Sequence, residues 1–251
     1  MERNISLKIF LKNTYLSTSL GFGGSVMSGL IFSRLIEDSS QVGIAPALVG
    51  LVGALGSIWL FNGQKAKFET IDAVFESKKE NIYEKSIIKI TVPQYPPMMI
   101  ASFIGLCLSN GLIMSPALAI TPSVAIAKAL LMGGIVTAGS SYFALRMKPD
   151  AMQPYQPVLY GSLFGLIGLG LLSIGSHLIF GPNFFTQTVS SIDLYGGLAL
   201  FTALNALDTQ TAIKEFKETG KPDFLRVSMT LVMNAINIFV RLLRIQRENN
   251  N

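Results

Sequence analysis

Charge is absent from five long stretches of this chain: Asn13–Ser33, Ser39–Gln64, Ile90–Ala127, Ala129–Leu145 and Ala151–Ile192. A helix needs about 20 mostly apolar residues to cross a bilayer. Two of the stretches are long enough for two crossings, or for one crossing and a loop. Only 14% of the 251 residues are charged and 50% are hydrophobic, whereas a soluble domain carries about 25% charged residues. The pattern predicts an integral membrane protein embedded in a lipid bilayer. No alternating pattern of strand length recurs, so the expected architecture is an all-α bundle and not a barrel.

Seven spans follow from the hydrophobic runs: Tyr15–Leu35, Gly43–Phe61, Pro97–Ile113, Ser123–Leu145, Val158–Phe180, Ile192–Ala212 and a weaker Phe224–Ile245. Pro93, Pro96, Pro97, Pro116, Pro122, Pro154, Pro157, Pro182 and Pro222 are expected between them, where a missing N–H does no harm. Residues 1–12 read as a basic N-terminal segment, 13–245 as the membrane domain and 246–251 as a polar tail. With the N-terminus inside, the inner segments carry Arg3, Lys8 and Lys12, then Lys65, Lys67, Lys78, Lys79, Lys85 and Lys89, then Arg146 and Lys148, then Lys214, Lys217, Lys221 and Arg226. The outer side carries Arg34, with Lys128 at the start of the fourth span. This asymmetry predicts a cytoplasmic N-terminus. A bacterial inner membrane is the expected location, with a mitochondrial or endoplasmic reticulum membrane as the alternative.

The seventh segment is polar for a span: it holds Arg226, Asn234, Asn237, Arg241 and Arg244. Either it re-enters without crossing, or it crosses shielded by other helices. Shielding is favoured because intramembrane polar groups face bundle interiors. Glycine is frequent in the spans, and GSLFG at Gly161–Gly165 has the small-xxx-small spacing that lets helices approach closely.

Other chemistries find little footing. Cys107 is a lone cysteine in an apolar run, so no intrachain disulfide forms. GFGGS at Gly21–Ser25 looks like a phosphate loop, but no strand precedes it. His177 has no second histidine or cysteine with which to hold a metal. Ser25, Ser28, Ser140 and Ser141 lack a His/Asp arrangement, so no enzyme is expected. The net charge of +5 is explained by topology and does not imply nucleic acid. No cofactor is expected.

The inner loop 64–96 is long and charged. Phe68, Ile71, Val74, Phe75 and Ile82 stand at near-helical spacing, which predicts a cytoplasmic amphipathic helix over Lys65–Lys89. It is either a solvated surface helix or an element that docks a protein partner.

The candidate site is a pair. Asp208 ends one hydrophobic segment, and Asn234 stands at comparable depth in the next. An ionisable group next to lipid is costly and is by default a functional candidate. TGKP at Thr219–Pro222 marks the turn of a helical hairpin. Counted from Lys221, both residues lie roughly 20 Å from the tip, so they can face one another near the inner mouth of the bundle. The alternative for Asp208 is a helix cap at the membrane surface.

From Phe10 to Ile245 the chain resembles the Bax inhibitor-1 family of seven-span membrane proteins. The resemblance rests on FLKNTYLSTSLGFGG at the first span, IASFIGLCLSNGLIMSPALA at the third and PSVAIAKALLMGGIVTAGSSYFAL at the fourth. Its strongest part is LDTQTAI at Leu207–Ile213 with NIFVRLLRI at Asn237–Ile245, and YGGLALF before it resembles the family's mitochondrial branch. The resemblance implies a last helix enclosed by the other six and a pH-sensitive calcium leak, in a family some of whose members suppress cell death. It also implies an aspartate pair that shares a proton. The first aspartate maps to Asp208, with Thr209 and Gln210 beside it. The second maps to Asn234, and an acidic position one turn earlier maps to Thr230. Asn237, Arg241 and Arg244 match polar and basic positions of the last helix. Arg241 and Arg244 either reach the outer interface or neutralise Asp208, and their depth favours the interface. With asparagine in the second position, a hydrogen bond replaces the shared proton, and pH gating is expected to be altered. Asp208 with amide and carbonyl oxygens offers calcium only a weak site.

Overall fold

The computed structural model describes residues 2–37, 45–79, 82–148 and 150–249. Its elements are α1 (Glu2–Glu37), α2 (Ala45–Asn62), β1 (Lys67–Lys79), β2 (Ile82–Gln94), α3 (Pro97–Ala119), α4 (Ser123–Arg146), α5 (Gln156–Phe180), the short α6 (Phe184–Ser191), α7 (Gly197–Thr219) and α8 (Phe224–Glu248). A π-helical turn, Ile192–Gly196, joins α6 to α7. The start of the expected second span, Gly43 and Ile44, and the end of the tail, Asn250 and Asn251, lie outside the described residues. Five helices are long and apolar enough to cross a membrane: α2, α3, α4, α5 with the turn before it, and α8. α1 and α7 are as long but carry more charge, α1 mainly towards its N-terminus and α7 towards its C-terminus.

The centre of the bundle is α8. Leu231, Val232, Ala235, Ile238, Phe239, Leu242 and Leu243 are all buried, on more than one face of the helix. α8 packs along α1, α4 and α7 and touches α3. α2 packs on α3, and α5 packs on α6 and α7. The arrangement differs from enclosure by six helices, because α5 stands off from α8 and leaves a cleft. α5 has no buried residue among those described, and it exposes Val158, Phe164, Leu171, Leu172 and Ile174. Such a surface suits lipid.

Close approach of helices occurs where glycine permits it. A Cβ on Gly111 of α3 would lie 2.0 Å from Ser28 Oγ, 2.7 Å from the Gly29 nitrogen and 2.9 Å from the Ser25 carbonyl. The α1–α3 crossing therefore runs backbone to backbone. The GSLFG expectation fails: nothing lies within 4 Å of the Cβ positions of Gly161 or Gly165, which face open space.

Pro116 also corrects the sequence reading, since it lies inside α3 and not after it. A proline there leaves the carbonyl four residues earlier without its N–H partner. Ser115 supplies a replacement, donating from Oγ to the Leu112 carbonyl at 2.8 Å. The helix therefore continues to Ala119.

The largest correction is the loop 64–96. In place of an amphipathic helix over Lys65–Lys89, β1 and β2 form an antiparallel hairpin with Ile71 opposite Ile90 and Phe68 opposite Pro93. The returning segment SIIKITV is rich in β-branched residues, which lose rotamer freedom in helices and suit a pleated strand. The near-helical spacing of five apolar residues misled because it ignored that run. At the hairpin base, the Tyr95 hydroxyl accepts from the Leu225 N–H at 3.0 Å. Burial, with Asp223 close by, pushes the Tyr95 hydroxyl above its usual range, so it remains protonated. Arg226 pairs with Asp223 at 3.3 Å and reaches Asn62 Oδ1 and the Gln64 carbonyl. These contacts tie the hairpin base to the start of α8.

Candidate functional site

α7 and α8 are antiparallel, and Gly220 at φ 67° supplies the left-handed turn that ends α7. Asp223 then caps α8, its side chain accepting from the Arg226 N–H at 3.3 Å. This local geometry brings Asp208 and Asn234 to the same level. Asn234 Nδ2 donates to Asp208 Oδ2 at 2.6 Å. Asp208 lies within α7 and continues it, so it is not a helix cap.

The pair lines a cavity of about 490 Å³ between α5, α7 and α8. From α5, the Tyr160 hydroxyl donates to Asp208 Oδ1 at 3.4 Å. Each carboxylate oxygen thus has its own donor from a different helix. Asn234 is 5% exposed, while Asp208 is half-buried and opens onto the cavity. Among the described residues, no three histidine, cysteine or acidic side chains converge to hold a metal ion.

The other two residues of the DTQ motif turn away from the cavity and hold α7 to α4. Thr209 is buried, donates to the Asn205 carbonyl at 2.8 Å and lies 3.4 Å from Ser141 Oγ. Gln210 Nε2 donates to the Ala144 and Lys148 carbonyls at 3.3 and 3.2 Å, where α4 ends. Its Oε1 accepts from the Met152 N–H at 2.9 Å. Helix ends leave carbonyls without intrahelical partners; Gln210 satisfies that of Ala144 in the last turn of α4, while the Lys148 carbonyl just beyond it also accepts from the Ala151 N–H. One turn earlier, fully buried Asn205 donates to the Thr137 carbonyl, Ser140 Oγ and Ser141 Oγ at 3.1, 2.8 and 2.9 Å.

Thr230 lines the same cavity but does not reach Asp208; its hydroxyl faces the Arg226 carbonyl at 3.5 Å. Asn237 donates to the Met233 carbonyl at 2.9 Å and accepts from Arg241 at 3.1 Å. Arg241 pairs with Asp193 at 2.7 Å, and Arg244 with Glu248 at 2.9 Å and Ser190 at 2.5 Å. Neither arginine neutralises Asp208, and both lie at the far end of α8, as their depth suggests.

Two residues of the site were not anticipated. Tyr160 is a hydroxyl in an otherwise apolar run, and Asp193 is the first charge after the charge-free stretch Ala151–Ile192. Both were visible as isolated polar groups. What faces them depends on how α5 and the π-helical turn pack.

Comparison with known proteins supplies the context. Residues 7–251 match the family model described as "Inhibitor of apoptosis-promoting Bax1". Growth hormone-inducible transmembrane protein of Rattus norvegicus is 33% identical over 84 residues, 30% of this chain and 24% of that protein. Bax inhibitor 1 of Saccharomyces cerevisiae is 30% identical over 126 residues, 49% of this chain and 40% of that protein. The chain therefore matches well under half the length of either relative. No solved structure matches.

Proposed function

Since the chain belongs to the Bax inhibitor family and is a multi-pass membrane protein, we propose that its α5–α7–α8 cleft is a cation pathway with Asp208 at the inner mouth. All seven long helices then cross the membrane, α1 and α7 included, with the N-terminus in the cytoplasm. The observation that carries the reading is the carboxylate itself: Asp208 is half-buried among apolar helices, is held by Asn234 and Tyr160, and opens onto a cavity. A purely structural carboxylate would be closed off, whereas this one opens onto the cavity and can exchange its partners for a passing cation. Calcium is the proposed cargo. Few oxygen ligands converge, which suits brief binding and passage. A bacterial inner membrane is the proposed location, with an organellar membrane as the alternative.

Asn234 in place of a second carboxylate alters the gating. Two close carboxylates share a proton and titrate as a pair. Here one carboxylate is latched by an amide donor, which has no ionisation of its own. The latch opens by breaking a hydrogen bond and does not require a second proton.

A second reading rests on the hairpin. Among the described residues it packs lightly on α1 and meets Lys221 at Phe68, which leaves its strands able to dock a protein partner in a chain that transports nothing.

Calcium flux from liposomes holding the purified protein separates the two readings. Flux above that of empty liposomes, abolished in Asp208→Asn, supports the pathway. Flux no greater than that of empty liposomes at any pH from about 6 to 8 leaves the hairpin reading in place.

A further inference from the structure

The cleft is lined at its other end by a second carboxylate and a second donor from α8. Asn234, Asn237 and Arg241 follow one another at helical spacing, and all three line the cavity, as do Asp193 and Asp208. Arg241 lies about 10 Å beyond Asn234 along the helix axis. Its guanidinium is clamped on every side. Nε donates to the Asp193 carbonyl at 2.9 Å and Nη2 to Asp193 Oδ1 at 2.7 Å. Nη1 donates to the Asn237 carbonyl and to its Oδ1, both at 3.1 Å. The Phe201 ring lies 4.7 Å below. The side chain is 11% exposed, and that of Asp193 is 46% exposed.

Two local features make this seat. The π-helical turn Ile192–Gly196 widens the helix at Asp193, and its carbonyl accepts from Arg241. Such bulges free backbone groups and often mark functional positions. Gly197 follows directly, and a Cβ there would lie 2.2 Å from Arg241 Nε.

From this arrangement we infer that Arg241 and Asp193 form the outer gate of the cleft, an ion-paired plug that holds cations out while the pair is closed. The inference rests on the cation-pathway reading for its physiological meaning, but the plug itself is a property of the cleft. Closed, the pair is near-neutral and obstructs the cleft with its side chains; a guanidinium left without Asp193 repels a cation there. Once the pair parts, Asp193 is left bare at the entrance and becomes an attracting site.

The test reads access and charge, not transport. Leu163 of α5 lines the cavity on the Asp208 side of the pair. Leu163→Cys is placed in a Cys107→Ala background, in sealed vesicles of one orientation. Membrane-impermeant cationic and anionic thiol reagents are then applied from the side where α7 begins. With the pair intact, both label slowly. In Arg241→Gln, the cationic reagent should gain about tenfold or more over the anionic one. In Asp193→Asn, the preference should reverse, because the guanidinium is left unpaired. Arg241→Lys, which keeps the charge and folds with less disturbance, should retain protection from the cationic reagent.

Equal acceleration of both reagents in both variants would mean that the pair merely ties α8 to the π-helical turn, and it overturns the gate. Unchanged labelling in both variants overturns it as well. If labelling follows charge while the vesicles pass no calcium, the pathway reading falls and the plug stands. If flux depends on Asp208 while labelling ignores charge, the plug alone falls.

Discussion

Asn234 donates to Asp208 at 2.6 Å across the α7–α8 hairpin, a contact between residues 26 apart in the chain. The Gly220 turn sets their level, and Tyr160 occupies the other carboxylate oxygen. The pair joins the two helices at the mouth of the cleft. It is also the point where this chain departs from a proton-sharing aspartate pair.

Asn234→Asp should therefore install pH dependence. Two carboxylates at this spacing cannot both ionise cheaply, so their protons leave in two coupled steps. Calcium flux should vary little from about pH 6 to 8 in the wild type and change steeply in the variant. Steep gating in the wild type would contradict the amide latch. Asn234→Ala, which removes the donor, should raise flux and lower thermal stability by about 1 kcal/mol.

Gln210→Ala should act on stability and leave permeation per folded molecule alone. It strips partners from the buried Ala144 carbonyl and from the Met152 N–H, while the Lys148 carbonyl keeps the Ala151 N–H. A buried group left unpaired costs about 1–3 kcal/mol. The check is a thermal melt in detergent alongside flux normalised to folded protein. A large flux defect with an unchanged melt would give Gln210 a role in the pathway instead.

Gly111→Ala and Gly165→Ala make a matched pair. At Gly111 the new methyl meets Ser28 Oγ and the backbone of α1, and overpacking of this kind costs about 1–3 kcal/mol. At Gly165 it meets nothing, so the melt should hold or rise slightly. Similar melting temperatures for the two variants would mean that α1 and α3 do not cross this closely.

Excision of the hairpin should leave the bundle folded. Lys67 stands opposite Gln94, so a short glycine–serine linker can replace residues 68–93 while Tyr95 stays in place. Helical circular dichroism and a cooperative melt should survive. If calcium flux survives as well, the hairpin lies outside the pathway. If the excised protein aggregates, the hairpin is part of the fold and not an appendage.

The sequence by itself determined the membrane class, the long apolar helices and the shared level of Asp208 and Asn234 on the α7–α8 hairpin. Each of these follows from counting: charge-free length, rise per residue and distance from the TGKP turn. It also carried the family motifs, and the polarity of the last segment marked it as a shielded helix. Counting failed for the loop 64–96, where five apolar residues matched a helical period but a β-branched run paired across the turn as a strand. Partner choice was decided only by tertiary structure. Gln210 serves α4 and not the cleft because the last turn of α4 presents the Ala144 carbonyl to it and the turn that follows presents that of Lys148. Arg241 serves Asp193 and not Asp208 because a π-helical turn and Gly197 open a seat beside it. Side-chain reach along one helix can be read from spacing. Which neighbouring helix lies within that reach depends on how α4, α5 and α7 pack around α8, and packing is a property of the whole chain.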